Sequence, residues 1–280
     1  MFAWVNGLFA QGRASAARIA EVLAAPAAVT AGNGALPTPT RGALRVRELS
    51  HGTLRKVSFD VAAGELVGVV AGDPADAAAL LRCFGRDADP DGGAVELDGV
   101  CLPTVDISAA RRAVLVAAHD SDLFEGTLLD NVRAGSAADD DLTAALAAAD
   151  AHEVAAALPQ GGATVLTERG RSLSGGQRQR VALARALAAA APVLVVHDPT
   201  TAVDAVTEAA VATGIQRLRS GRTTIVVTTS PVLLAVTDRV LVLTGGTVTA
   251  KGSHSDLLHG HDSYPDLGAP HPARAAGVRP

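Results

Sequence analysis

The run Leu173-Ser174-Gly175-Gly176-Gln177-Arg178-Gln179-Arg180 is the most informative stretch of this chain. A serine and two glycines open what reads as a helix from Val181 to Ala190, rich in Ala, Leu and Arg. Ser174 can cap its first turn, since a serine oxygen accepts an orphan N–H there. The glycines leave backbone N–H groups uncovered by side chains. Unpaired amides and the helix macrodipole then point the same way, which suits an anion. Ser-Gly-Gly alone would equally fit a capped surface helix after a glycine turn.

The flanks decide between these readings. Thr167-Glu168-Arg169-Gly170 precedes the run, and Val-Ala-Leu-Ala-Arg-Ala-Leu follows it. A strand from Val193 to Val196 comes next, then Asp198-Pro199-Thr200-Thr201-Ala202-Val203-Asp204. This order resembles the ATP-binding cassette (ABC) family: signature loop, helix, Walker B strand, D-loop. The resemblance runs from about Ala43 to about Leu267, and Thr-Glu-Arg-Gly looks like a variant of the exporter-type loop before the signature. It implies an α/β fold, a P-loop NTPase-like mixed sheet core with an antiparallel β subdomain and a helical subdomain near residues 120–172.

The 280 residues can bury a sizeable core, as one domain or one domain with a subdomain. Aromatics are scarce, so Val and Leu must build it. Net charge is −5 with no basic run, which argues against nucleic acid as a partner. Cys83 and Cys101 fit no metal spacing, and so few thiols suggest a reducing cytosol. No 18-residue apolar run offers a membrane span, and Met1 to Ala10 is too short for one. Residues 31–42, rich in Gly, Pro and Thr, read as a flexible linker. Gly268 to Pro280 reads as a disordered tail, so the cassette proper should occupy 43–268 and the tail 269–280.

Asn6 to Leu23 has helical spacing, with Leu8, Ile19, Val22 and Leu23 on one face. That face could pack on its own domain. In ABC exporters a similar Ala-Arg-Ile-x-x-Val-Leu segment follows the last transmembrane helix. By that resemblance residues 1–30 form a linker helix after a missing membrane domain, either because the gene is split or because the chain is a fragment.

Leu44 to Leu49 and Val57 to Val61 read as strands. Between them His51 stands where the family offers an aromatic ring to adenine, or is plain turn surface. Asp91 to Gly99 resembles the family's small antiparallel hairpin, and Val114 to Ala117 is a further strand. Ala134 to Leu158 is Ala-rich and helical. Ile225 to Thr228, Val240 to Leu243 and Thr247 to Ala250 complete the sheet, and Ser253 to Leu258 begins a terminal helix.

The phosphate cradle should lie between a buried strand, Glu65 to Ala71, and a helix, Ala77 to Phe84. The working pattern is Gly, four residues, Gly-Lys-Ser/Thr, in which Lys neutralises phosphate and the hydroxyl binds Mg2+. Here Gly72 is present, but Ala77 takes the Lys position and Ala78 the hydroxyl position. Pro74 supplies no N–H. Asp73 and Asp76 would set negative charge near polyphosphate, where two unit charges at ~4 Å repel by about 4 kcal/mol at an effective dielectric of 20. Without its flanks this is an ordinary strand–turn–helix.

Other family positions are altered too. His119 replaces the Gln that senses Mg2+, His197-Asp198 replaces the Walker B Asp-Glu pair, and Thr229 replaces the His that contacts the γ-phosphate. Asp198, one methylene shorter than Glu, should be a poor catalytic base. Ser174, Gly175, Gly176, Gln177 and the D-loop Asp204 are intact. In ABC dimers each ATP lies between one subunit's Walker motifs and the other's signature. The resemblance thus implies a degenerate half of an exporter at the cytoplasmic face of the membrane. It would share a composite ATP and Mg2+ site with a second ABC subunit whose Walker motifs are intact, and hold weak or no ATP at its own. The alternatives are a self-sufficient homodimeric ATPase and an inactive fragment. We expect no metal: His119, His197 and Asp198 should hydrogen-bond to one another or form a salt bridge, the other option being a Zn2+ ligand set.

Overall fold

The computed structural model describes residues 2–25, 27–29, 31–136, 142–260 and 264. Its strands are β1 (Leu44–His51), β2 (Leu54–Val61), β3 (Leu66–Ala71), β4 (Gly92–Leu97), β5 (Val100–Cys101), β6 (Val114–Ala117), β7 (Gly126–Thr127), β8 (Val165–Leu166), β9 (Val193–His197), β10 (Thr223–Val227), β11 (Arg239–Thr244) and β12 (Thr247–Gly252). The helices are α1 (Phe2–Ala24), α2 (Pro74–Phe84), α3 (Ile107–Ala113), α4 (Leu128–Arg133), α5 (Thr143–Ala148), α6 (Ala151–Ala156), α7 (Gly175–Ala188), α8 (Ala205–Leu218), α9 (Pro231–Ala235) and α10 (His254–Gly260).

Unbroken apolar runs such as Leu66-Val67-Gly68-Val69-Val70 cannot leave one face wet, and they form the middle of a sheet covered on both sides. Its order is β12-β11-β3-β10-β9-β6, parallel except for the β11–β12 pair. Strand alternation divides the core. Val67, Val69, Val193, Val195 and Ile225 pack toward α2 and a second sheet, ordered β2-β1-β4-β5 and wholly antiparallel. Leu66, Leu194, Val196 and Val226 pack toward α7, α8 and the short helices α4 to α6. This is the mixed α/β core expected, with its antiparallel and helical subdomains.

Several elements differ from expectation. The Ala-rich stretch 134–158 holds two short helices, α5 and α6, because Asp150 between them takes a left-handed conformation (φ 52°). Arg180 of α7 fixes that junction by donating to the Asp150 carboxylate at 2.8 Å and its carbonyl at 3.1 Å. Helix α7 begins at Gly175, six residues before the expected Val181. Helix α2 begins at Pro74, three residues before the expected Ala77.

The segment expected as a flexible linker is tied to the domain at both ends. The Gly34 N–H donates to the Thr104 carbonyl at 2.8 Å, and the amides of Arg41, Gly42 and Ala43 all donate to the Asp98 carboxylate. On α1, Leu8, Ile19, Val22 and Leu23 are each at least half exposed, so its apolar stripe does not pack on its own domain among the described residues. Among those residues no helix is long and apolar enough to cross a membrane. The expected tail, Gly268 to Pro280, lies outside the described residues.

Candidate functional site

Phosphate contacts are expected at two helix N-termini, and the two are built differently. At α2, Asp73 is the N-cap: its Oδ1 accepts the Ala75 N–H at 2.8 Å, and its carbonyl accepts the Asp76 and Ala77 amides at 3.0 and 3.4 Å. The Gly72 amide donates to the Leu243 carbonyl at 2.9 Å, and Pro74 has no N–H. Most amides of the would-be cradle are therefore already bonded. No Lys or Arg stands between Glu65 and Leu81. Ala77 is buried and Ala78 is exposed. Asp76, expected to face polyphosphate, is instead 1% exposed and accepts the Gly246 N–H at 2.9 Å. The α2 first turn explains this, because it swings the Asp76 side chain toward the β11–β12 turn.

At α7 the cap is neutral. Ser174 Oγ accepts the Gln177 N–H at 3.3 Å, and Gln177 Oε1 accepts the Ser174 N–H at 2.9 Å, a capping box. Ser174 and Gly175 are exposed, and Gly176 is buried. A side chain on Gly176 would bring its Cβ to 2.4 Å from the Ala202 carbonyl oxygen, whereas one on Gly175 would meet only the Ala202 side chain at 3.5 Å. Gly176 is thus a glycine because the loop after β9 presses on it.

That loop is held by Gln179, which sequence reasoning missed. Buried on α7, it donates to the Asp198 carbonyl and to Thr201 Oγ1, both at 2.9 Å, and accepts the Ala202 N–H at 3.1 Å. Glu208, also missed, joins the loop to the next one: its Oε1 accepts from Thr200 Oγ1 at 2.8 Å and Ser230 Oγ at 2.7 Å. Asp204 caps α8, accepting the Val206 and Thr207 amides at 3.0 Å, and the Thr207 bonds hold its carboxyl below the usual range.

His119 and His197 do meet. Their Nδ1 atoms are 3.4 Å apart and the rings are edge-to-face with centroids 5.1 Å apart. His197 Nε2 lies 3.5 Å from Asp198 Oδ2, on the far side of its ring from His119. The carboxylate cannot share a point with both Nδ1 atoms, and among the described residues no group of three His, Cys, Asp or Glu is placed to hold a metal ion. This is the hydrogen-bonded arrangement. Asp198 has φ +43°, a conformation uncommon outside glycine. His51 is turned from open stacking: its Nδ1 is 3.2 Å from Asp91, with the side chain 16% exposed. Thr229 is exposed beyond β10.

The family model for ABC transporters matches residues 54–201. The chain belongs to the ABC transporter family. This ABC chain is 38% identical over 216 residues to the ATP-dependent lipid A-core flippase of Burkholderia pseudomallei (strain 1710b), covering 77% of itself and 36% of that protein. It is 36% identical over 247 residues to the flippase of the same name from Bordetella pertussis (strain Tohama I), covering 85% of itself and 40% of the relative. A solved bacterial Atm1-family ABC exporter with ATP bound matches with a TM-score of 0.83 at 31% identity, over 92% of this chain and 47% of that one. The chain thus spans less than half the length of these relatives.

The family implies Mg2+ and ATP. At α2 the ABC chain offers a triphosphate no cation, no Mg2+-binding hydroxyl at Ala78 and an N-terminus already capped by a carboxylate. These residues do not fit the group. At α7 the cap is a neutral serine and the Gly175 backbone is exposed.

Proposed function

We propose that this chain is the nucleotide-binding cassette of an ABC exporter in ATP-driven transport, working beside a second cassette with an intact phosphate loop. It is the degenerate half of the pair, lending its signature to ATP and Mg2+ held by the partner. The observation that carries this reading is the contrast between the two helix ends: α2 is capped by its own anion, Asp73, and α7 by a neutral serine. An anion already at a helix end repels a second one, whereas a neutral cap leaves the dipole free to attract it.

ATP, when held by the partner, supplies the phosphoanhydride bond. This chain's residues would orient and not cleave: Ser174 and the Gly175 and Gly176 backbone would face the terminal phosphate, while Gln179 holds the adjoining loop and Asp204 fixes the start of α8. His197 and Asp198, turned toward each other, contribute no base. The flippase relatives support transport as the class of activity. We assign the contact with a membrane-domain partner to a groove of about 570 Å³ whose lining includes Leu115, Phe124, Ala182, Arg185, Ala186 and Ala189. Phe124 is 58% exposed there, beneath the Arg185 guanidinium at 4.9 Å. Such a contact would hold the cassette at the cytoplasmic face of the membrane.

The test is ATP turnover by this chain assembled with a cassette carrying Gly-Lys-Ser/Thr. Ser174→Arg in this chain should reduce turnover of the pair by about 100-fold or more, the usual scale for losing preorganised donors to a developing charge. Unchanged turnover by the variant, or equal turnover by this chain alone, contradicts the reading.

A further inference from the structure

Resting on the reading that its own site holds no nucleotide, we propose that this chain closes that site from within. Asp73 caps the start of α2, and Asp76 ties α2 to the Gly245–Gly246 turn, the point at which the six-stranded sheet bonds to the antiparallel one.

The latch is a continuous path of hydrogen bonds. Asp76 Oδ2 accepts the Gly246 N–H at 2.9 Å, and the Gly246 carbonyl accepts the Arg55 N–H at 2.7 Å at the start of β2. One end of this path is the helix that follows β3, and the other is the antiparallel sheet. The turn is pressed into place: Gly246 has φ +77°, and a Cβ there would lie 2.1 Å from the Thr53 carbonyl oxygen. The bond between Gly72 N–H and Leu243 O joins the would-be cradle to the same strand that leads into the turn. Asp76 is 1% exposed and Gly246 is buried, so water cannot replace either partner.

The early start of α2 makes this geometry available. Asp73-Pro74 supplies an N-cap and a proline at the first helical position, where its ring angle and missing N–H both suit a helix. The added turn starts where the sequence leads one to expect the cradle, and it carries Asp76 to the β11–β12 turn. Residues that displace a phosphate therefore also brace the two sheets, and the cassette keeps its shape without a ligand.

Amide hydrogen exchange on the full chain tests this. In the wild type, the Gly246 and Arg55 amides should exchange as slowly as those within β11, while the Gly245 amide is fast. Asp76→Ala should speed exchange at Gly246 and Arg55 by about tenfold or more through local opening. Asp76→Asn, whose side-chain oxygen still accepts, should keep most of the protection. Mg2+-ATP should protect no amide between Gly72 and Ala77. If Gly246 and Arg55 exchange as fast as Gly245 in the wild type, or are unmoved by Asp76→Ala, the latch is wrong while the degenerate-half reading stands. If Mg2+-ATP protects residues 72–77, both fall. The wild-type comparison decides the matter even if Asp76→Ala folds poorly.

Discussion

His197 ends β9 with its ring between His119 and Asp198, and the fold sets its protonation. Burial holds the imidazole below its ordinary value, with Asp198 opposing and His119 adding to the shift. The unfolded chain takes up this proton near pH ~6.5, whereas the folded chain resists it. The stability tied to His197 is therefore full above that pH and falls as the pH drops toward the folded value. Thermal melts from about pH 7.5 to about pH 5 should show the wild type losing more stability than His197→Asn. Parallel losses would refute the assignment. His119 and His197 both replace residues tied to Mg2+ in the family, but sequence order left the distance between them open. That Asp198 would sit on the far side of the ring was not legible either, because it depends on the left-handed backbone at Asp198. Asp73-Pro74 was legible as a helix start by itself, and alignment to a phosphate loop obscured it.

Helix α7 shows how one element can serve two neighbours. Its first turn is open toward solvent at Gly175 and packed against the Ala202 backbone at Gly176. Gly176→Ala should therefore destabilise the chain by about 1–3 kcal/mol through overpacking against a carbonyl. Gly175→Ala should be neutral or stabilise by about 0.5 kcal/mol, the gain in helix propensity. Chemical denaturation of both variants is the check, and equal effects would show that the loop does not press on α7. The signature run identified this helix, but its start at Gly175 was misread because two glycines look like a turn. They are tolerated because the Ser174–Gln177 capping box forms around them. Likewise the stretch from 142 to 158 is Ala-rich, and its break at Asp150 is held by Arg180 from another element.

Across the whole molecule, the unbroken apolar strands announced a two-sided sheet, and alternation along them sorted the core into its α2 and α7 faces. Fold and family were readable because the signature, β9 and the Asp198–Asp204 loop follow one another in sequence. The braces Gln179, Glu208 and Asp76 were not readable, since each bonds across to another element; Asp76 and Gly246 are 170 residues apart. If this chain is the degenerate half, the Asp73 carboxylate at the start of α2 should keep Mg2+-ATP from its own site. Calorimetric titration of Mg2+-ATP into the full chain alone tests it most directly. The account predicts no saturable heat at micromolar ligand. A micromolar dissociation constant, about −8 kcal/mol, would contradict it.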